Sequence, residues 1–338
     1  MLAGQFDTLL FDLDGVIYVG PHAVRHATHV VTAMQARKIT CAYVTNNAFR
    51  TPGAVAEHLT DLGFTCNADD VVTSPQAAVP LLADRIPAGS RVLVVGGEGI
   101  MQILREAGYV PVTTLEDDPQ AVIQGFSPEM TWRDLAEASY AVAAGLPWIA
   151  TNPDLTFPTP RGIAPGNGSM VRLVSTATGR EPDAVAGKPE PPLLKEALRR
   201  TGARAALMVG DRVDTDISAG HRVGIPSLLV MTGVTSARDL LQAQGDERPD
   251  FVGSDLRVLQ RPYPQVSVTV ESATCQEARA WVREGALELD SHDVDDGLRA
   301  ASALAWQHPG LDLEPALTRL VELAGTVSSE TLEDHHAQ

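Results

Sequence analysis

The chain has 338 residues, 44% of them hydrophobic, and 26 basic against 43 acidic side chains give it a formal charge of −17. That length allows a sizeable core and two or three domains, while the acidic balance repels polyanions and leaves no basic stripe for nucleic acid. No segment reaches the ~20 apolar residues of a membrane span, no basic region precedes a long apolar run at the start, and Cys41, Cys66 and Cys275 show neither disulfide nor zinc spacing, so a cytoplasmic protein with no membrane partner is expected.

The first element is Thr8-Leu9-Leu10-Phe11, an apolar run that stops at Asp12-Leu13-Asp14-Gly15 and so reads as a buried strand opening onto a site. Two carboxylates this close repel unless a cation lies between them or one is protonated; the pair points to a metal, an acid–base role, or both. Asp-x-Asp-Gly also suits a turn or the start of a calcium loop, but Val16-Ile17-Tyr18-Val19 supplies none of the ligands such a loop needs. Helical spacing over residues 23–37 and a strand over 39–45 follow, a βαβ unit whose crossover brings Thr45-Asn46-Asn47 beside Asp12. His22, His26 and His29 have no carboxylate or cysteine to join them and are read as a polar face.

A helix over 52–62 stopped by Gly63, a strand at 71–73 and a helix over 75–85 lead to Pro87-Ala88-Gly89-Ser90, a domain boundary. Beyond it the pattern restarts, with strands at 91–96, 121–126 and 147–151 and helices through Ala107 and over 132–144, hence a second small sheet. Gly96-Gly97-Glu98-Gly99 lacks full GxGxxG spacing and is read as glycines turning a strand into a helix. Gly166-Asn167-Gly168, ahead of a helix to about 178, fits an anion site and a plain N-cap equally.

Gly187-Lys188-Pro189 returns the chain to the first sheet, and after a helix over 192–201 a second buried strand, 205–209, ends in Gly210-Asp211-Arg212-Val213-Asp214-Thr215-Asp216. A helix at 218–223, a strand at 227–231 and an edge element at Phe251-Val252 complete that sheet. Pro262 and Pro264 flank a linker, 266–270 alternates like a strand, and 275–283, 297–306 and 315–324 read as helices.

Taken in order, Asp12-Leu13-Asp14-Gly15, Thr45-Asn46-Asn47, Gly187-Lys188-Pro189 and the 210–216 cluster resemble the haloacid dehalogenase superfamily over about residues 5–255. The long insertion between the second and third motifs is similar to that of the branch with NagD-like and 4-nitrophenyl phosphatases. The resemblance implies an α/β fold: a Rossmann-like, doubly wound parallel core (1–83 and 185–258), a smaller α/β cap (84–184) and a C-terminal α+β appendage (262–338). The appendage is expected either to pack on the core or, like the cap, to build a homodimer contact.

Phosphoryl transfer asks for a nucleophile, neutralised equatorial oxygens and a proton for the leaving group. Asp12 suits the nucleophile and Asp14 the general acid and base; Thr45, Asn46 and Lys188 would hold the phosphoryl group, with Asp216 behind them orienting Lys188 or a metal-bound water. Magnesium, the expected cofactor, would take Asp12, the Asp14 carbonyl and Asp211. The expected partner is a small phosphorylated metabolite, glycerol 3-phosphate or 2-phosphoglycolate first. A sugar-phosphate or nucleotide phosphatase and a non-catalytic phosphate-ligand sensor are the alternatives. Phe157 is the only aromatic residue in the stretch 151–169 that could stack on a base.

Overall fold

The structure is a computed structural model and describes residues 1–159 and 161–333. Its first sheet has six parallel strands in the order Phe251–Gly253, Ser227–Val230, Ala206–Gly210, Thr8–Phe11, Thr40–Thr45 and Val71–Thr73. The chain enters at Thr8–Phe11, steps outward to Val71–Thr73, and later resumes on the other side, so the order switches between Thr8–Phe11 and Ala206–Gly210. Open α/β sheets bind ligands beyond the C-terminal strand ends at such a switch. Phe11 pairs with Val209 on one side and Tyr43 on the other, which sets Asp12, Gly210 and Val44 on one edge.

Alternation buries both faces. Leu9 and Phe11 pack with Val30, Val31 and Met34 of helix Ala27–Ala36, while Leu10 packs with Leu82 and Leu193 on the other side. That helix begins at Ala27 and not at the expected 23, because His22–Ala23 pairs with Tyr18–Val19 in a small hairpin.

Residues between Val71–Thr73 and Ala206–Gly210 build a second parallel sheet, in the order Ala184–Val185, Trp148–Ala150, Ala121–Gln124, Arg91–Val95 and Val110–Val112. An antiparallel hairpin, Thr156–Thr159 with Gly162–Pro165, projects from it. Val94 and Ile149 share an apolar cluster with Leu10 and Leu82, so helix Ser74–Ala83 is buried between the two sheets.

The third sheet is antiparallel, with strands Val266–Val268, Ser272–Cys275, Ala278–Arg283 and Ala286–Asp290 backed by helices Val294–Ala305 and Glu314–Glu333. Residues 275–283, expected as a helix, instead end one strand and form the next. Ala278 and Ala280 point inward and alternate with an outward Arg279, a period of two written in residues that favour helices. Gln276 turns left-handed at φ 53°, and Glu284 and Gly285 at 51° and 81° form the paired left-handed turn that suits a two-residue hairpin.

This α+β appendage packs on the core. The Val252 N–H donates to the Tyr263 hydroxyl at 2.8 Å and Arg299 Nε donates to the Val252 carbonyl at 3.1 Å, which closes the exposed edge of the first sheet. Ile217, Leu229 and Leu240 share an apolar cluster with Leu298 and Leu304 of the appendage. Among the described residues, no helix is long and apolar enough to cross a membrane.

Candidate active site

Lys188 sits at the centre of the switch-point edge, 1% exposed. Its ammonium lies 2.5 Å from Asp12 Oδ1 and 2.7 Å from Asp216 Oδ1, and donates to the Val44 carbonyl at 3.2 Å, so three oxygens take its three protons. Burial works against a charged lysine, but Asp12 and Asp216 more than offset it and hold the proton more tightly than usual. Asp216 arrives on a π-helical turn, Val213–Ile217, and its Oδ2 accepts the N–H groups of Asp211 and Arg212 at 3.2 and 3.1 Å. Gly210 makes room for it: a Cβ there would stand 2.1 Å from the Asp216 Cβ.

Asp12, Asp211 and Asp216 each offer an oxygen within 4.8 Å of the others. Burial pushes the Asp12 carboxyl well above its ordinary range despite Lys188, and burial together with Asp216 pushes Asp211 up to about 7. Asp211 Oδ2 accepts the Val234 N–H at 2.6 Å, but its Oδ1 is buried with no hydrogen-bond partner among the described residues. A buried, orphaned carboxylate oxygen beside a second carboxylate fits a hard cation with oxygen ligands. Both Asp216 oxygens are spent on Lys188 and the backbone, so Asp12 and Asp211 are the carboxylates free to hold one. Gly15, at φ +88°, passes so close that a Cβ would meet Asp211 Oδ2 at 2.5 Å, and its carbonyl accepts from Thr232 Oγ1 at 2.6 Å.

Asp14, two residues past Asp12 on the same edge, is exposed. The surrounding protein pushes its carboxyl upward, against the pull of Arg50 and Lys188, although the side chain keeps contact with solvent. Thr45 ends its strand buried, its hydroxyl accepting the Asn47 N–H at 3.1 Å. The Asn46 side chain does something the sequence did not announce. Its Oδ1 accepts the Lys188 N–H at 2.8 Å, and its Nδ2 donates to the Lys188 carbonyl at 2.9 Å and to both Asp154 oxygens at 3.1 and 3.2 Å. With that amide committed, the backbone N–H is what Asn46 has left for a ligand.

Sequence reasoning missed Asn152, Asp154, Thr232 and the Val234 N–H, all on loops reached only through tertiary contact. Arg212 forms a two-point ion pair with Asp214, at 3.0 and 2.7 Å, and Asp214 lies exposed on the surface. The glycines of Gly166-Asn167-Gly168 serve close packing: Cβ atoms there would stand 2.3 Å from the Asp154 carbonyl oxygen and 2.1 Å from that of Pro153. The Gly168 N–H donates to the Asp154 carbonyl at 2.8 Å, so that helix start is occupied by the chain itself.

A model of the haloacid dehalogenase-like hydrolases matches residues 9–110, and a second, HAD-hydrolase-like model matches 185–259. The D-glycerol 3-phosphate phosphatase of Mycobacterium tuberculosis is 42% identical over 332 residues, 94% of this chain and 91% of that protein. The acid sugar phosphatase of Staphylococcus aureus is 36% identical over 240 residues, 70% of this chain and 90% of its own. Among solved structures, glycerol phosphate phosphatase from Mycobacterium tuberculosis in complex with magnesium superposes with a TM-score of 0.81 at 41% identity, covering 94% of this chain and 98% of that one.

Proposed function

The chain belongs to the haloacid dehalogenase-like hydrolases, and on that premise we propose that it is a magnesium-dependent phosphatase of small phosphate monoesters that carries the phosphoryl group transiently on Asp12. The observation that supports it most is the buried cluster in which Lys188 bridges Asp12 and Asp216 while Asp211 keeps an unpartnered oxygen. In this reading residues 1–83 and 185–258 are the catalytic core, 84–184 the cap and 262–338 an appendage that shields the core's edge.

Asp12 attacks phosphorus in line, the phosphorus–oxygen bond to the leaving group breaks, and Asp14 protonates the departing alkoxide. Asp14, now a carboxylate, takes a proton from the water that next attacks phosphorus, releasing phosphate and restoring Asp12. Thr45 Oγ1 and the Asn46 N–H hold the equatorial oxygens, the Lys188 ammonium turns the proton it shares with Asp12 or Val44 toward them, and Asp216 keeps Lys188 charged and in place. Magnesium held by Asp12, Asp211 and the Asp14 carbonyl would add positive charge where the phosphoryl group sits.

For the substrate, glycerol 3-phosphate leads, with 2-phosphoglycolate next. The Mycobacterium tuberculosis relative is a phosphatase of D-glycerol 3-phosphate, and Phe157 packs edge to face on Phe126 with centroids 5.0 Å apart, already engaged within the cap. Phosphate release from a panel of esters, with and without magnesium, tests this. Polyol or small acid phosphates should give the highest kcat/KM, only with the metal; a preference for nucleoside monophosphates refutes the substrate class. No turnover of any ester, 4-nitrophenyl phosphate included, would favour a phosphate-ligand sensor.

A further inference from the structure

The segment 151–154 leaves strand Trp148–Ala150 of the second sheet and meets the first sheet at Asn46. Two of its side chains make the joint. Asn152 Nδ2 donates to the Asn46 carbonyl at 2.8 Å, beside the Ser74 hydroxyl that donates to the same oxygen at 2.8 Å, and the Asp154 carboxylate takes the Asn46 Nδ2 proton that Lys188 leaves over. Asn152 Oδ1 in turn accepts the Asp154 N–H at 3.2 Å, which fixes the turn.

Asn46 is thus oriented from both ends. A flipped amide would set its oxygen against two acceptors, the Lys188 carbonyl and Asp154, and its NH₂ against the Lys188 N–H. Gly187 allows the approach, since a Cβ there would lie 2.4 Å from Asn46 Oδ1 and 2.7 Å from the Thr151 carbonyl oxygen. Asp154 is half-buried; burial raises its carboxyl, opposed by Arg212 and then by the Asn46 bond. An extra anion near a phosphate site weakens anion binding by Coulomb repulsion, so this carboxylate acts against binding unless it does something else there.

We propose that Asp154 is a positioning residue for the reaction: it locks the Asn46 amide that grips Lys188 by its N–H and carbonyl, so that the Lys188 ammonium is held on Asp12 only while the inserted sheet is docked. This rests on the phosphatase reading above. The cap thereby acts on the phosphoryl site through a core side chain, besides covering it.

The test is a double-mutant cycle of Asp154→Ala with Asn46→Ala, read by 4-nitrophenyl phosphate hydrolysis in magnesium and by inhibition with inorganic phosphate. Loss of a charge-assisted hydrogen bond predicts that Asp154→Ala lowers kcat/KM about tenfold or more, and by less than about twofold in the Asn46→Ala background. Asp154→Asn, which keeps an acceptor, should recover activity to within about threefold of wild type. Inorganic phosphate should inhibit Asp154→Ala more weakly than wild type, although removing an anion would by charge alone strengthen it. If Asp154→Ala does not fold, Asp154→Leu replaces it. An equal loss in both backgrounds, tighter phosphate inhibition, no recovery with Asn, or a lowered melting temperature with kinetics unchanged overturns the proposal. A wild type inactive on every ester refutes the phosphatase reading itself; an active wild type with an unaffected Asp154→Ala refutes only the positioning role.

Discussion

At the scale of single residues, the site is a balance of buried charges. Lys188 is one cation among Asp12, Asp211 and Asp216, so without a further cation the cluster is short of positive charge, and burial raises Asp12 and Asp211 in response. Magnesium should therefore stabilise the fold. At a concentration a hundredfold above its dissociation constant a bound ion adds about 2.7 kcal/mol, seen as a rise in melting temperature. Asp211→Asn should abolish most of that rise, because it removes the carboxylate whose Oδ1 has no hydrogen-bond partner among the described residues. An equal rise in the variant would place the ion elsewhere.

Elements explain why some of this was legible in the sequence and some was not. Asp12, Thr45 and the Asp211–Asp216 cluster each end or follow a buried strand, and parallel strands deliver their ends to one edge, so an apolar run followed by a polar cluster is enough to bring them together; Lys188 instead follows the half-buried edge strand Ala184–Val185 of the second sheet. Asp154 meets Asn46 across 108 residues of chain, a contact set by how the two sheets dock and by no local pattern. The strand at Ala278–Arg283 was hidden because alanine and arginine favour helices and its inward side chains are small.

The glycines where the chain enters helix Glu98–Glu106 do more than turn strand into helix: Gly99, its second residue, lies against the carbonyls of Ala48, Phe49 and Arg50, where a Cβ would come within 2.8 Å of all three. That loop continues from Asn46, and the Asn47 side chain folds it by accepting the N–H groups of Phe49 and Arg50 at 2.9 and 3.2 Å. Gly99→Ala must push the helix off the loop, because backbone cannot retreat as a side-chain tip can. It should cost about 1–3 kcal/mol of stability and lower kcat, measured by denaturant unfolding and ester hydrolysis. A variant as stable and active as wild type would mean the two segments separate freely.

Over the whole molecule, the charge of −17 would not draw an anion to this edge, and positive charge there comes from within: Lys188 between Asp12 and Asp216, and Arg50 near Asp14. The second sheet closes over this edge and the appendage closes the far edge of the first sheet through Tyr263 and Arg299, so each part covers a different exposed side of one parallel sheet.

If Asp12 carries the phosphoryl group while Asp14 moves the protons, one rapid-quench experiment reads both roles. Asp14→Asn keeps the nucleophile and the backbone carbonyl but loses the proton carrier. With 4-nitrophenyl phosphate, whose phenolate leaves without an acid, the first step should survive and the water step should slow by roughly 10²–10⁴-fold. A burst of 4-nitrophenol close to one per enzyme is expected, with a phosphate mapped by mass spectrometry to Asp12. An Asp14→Asn variant that binds magnesium yet shows neither a burst nor a phosphorylated Asp12 would contradict these roles.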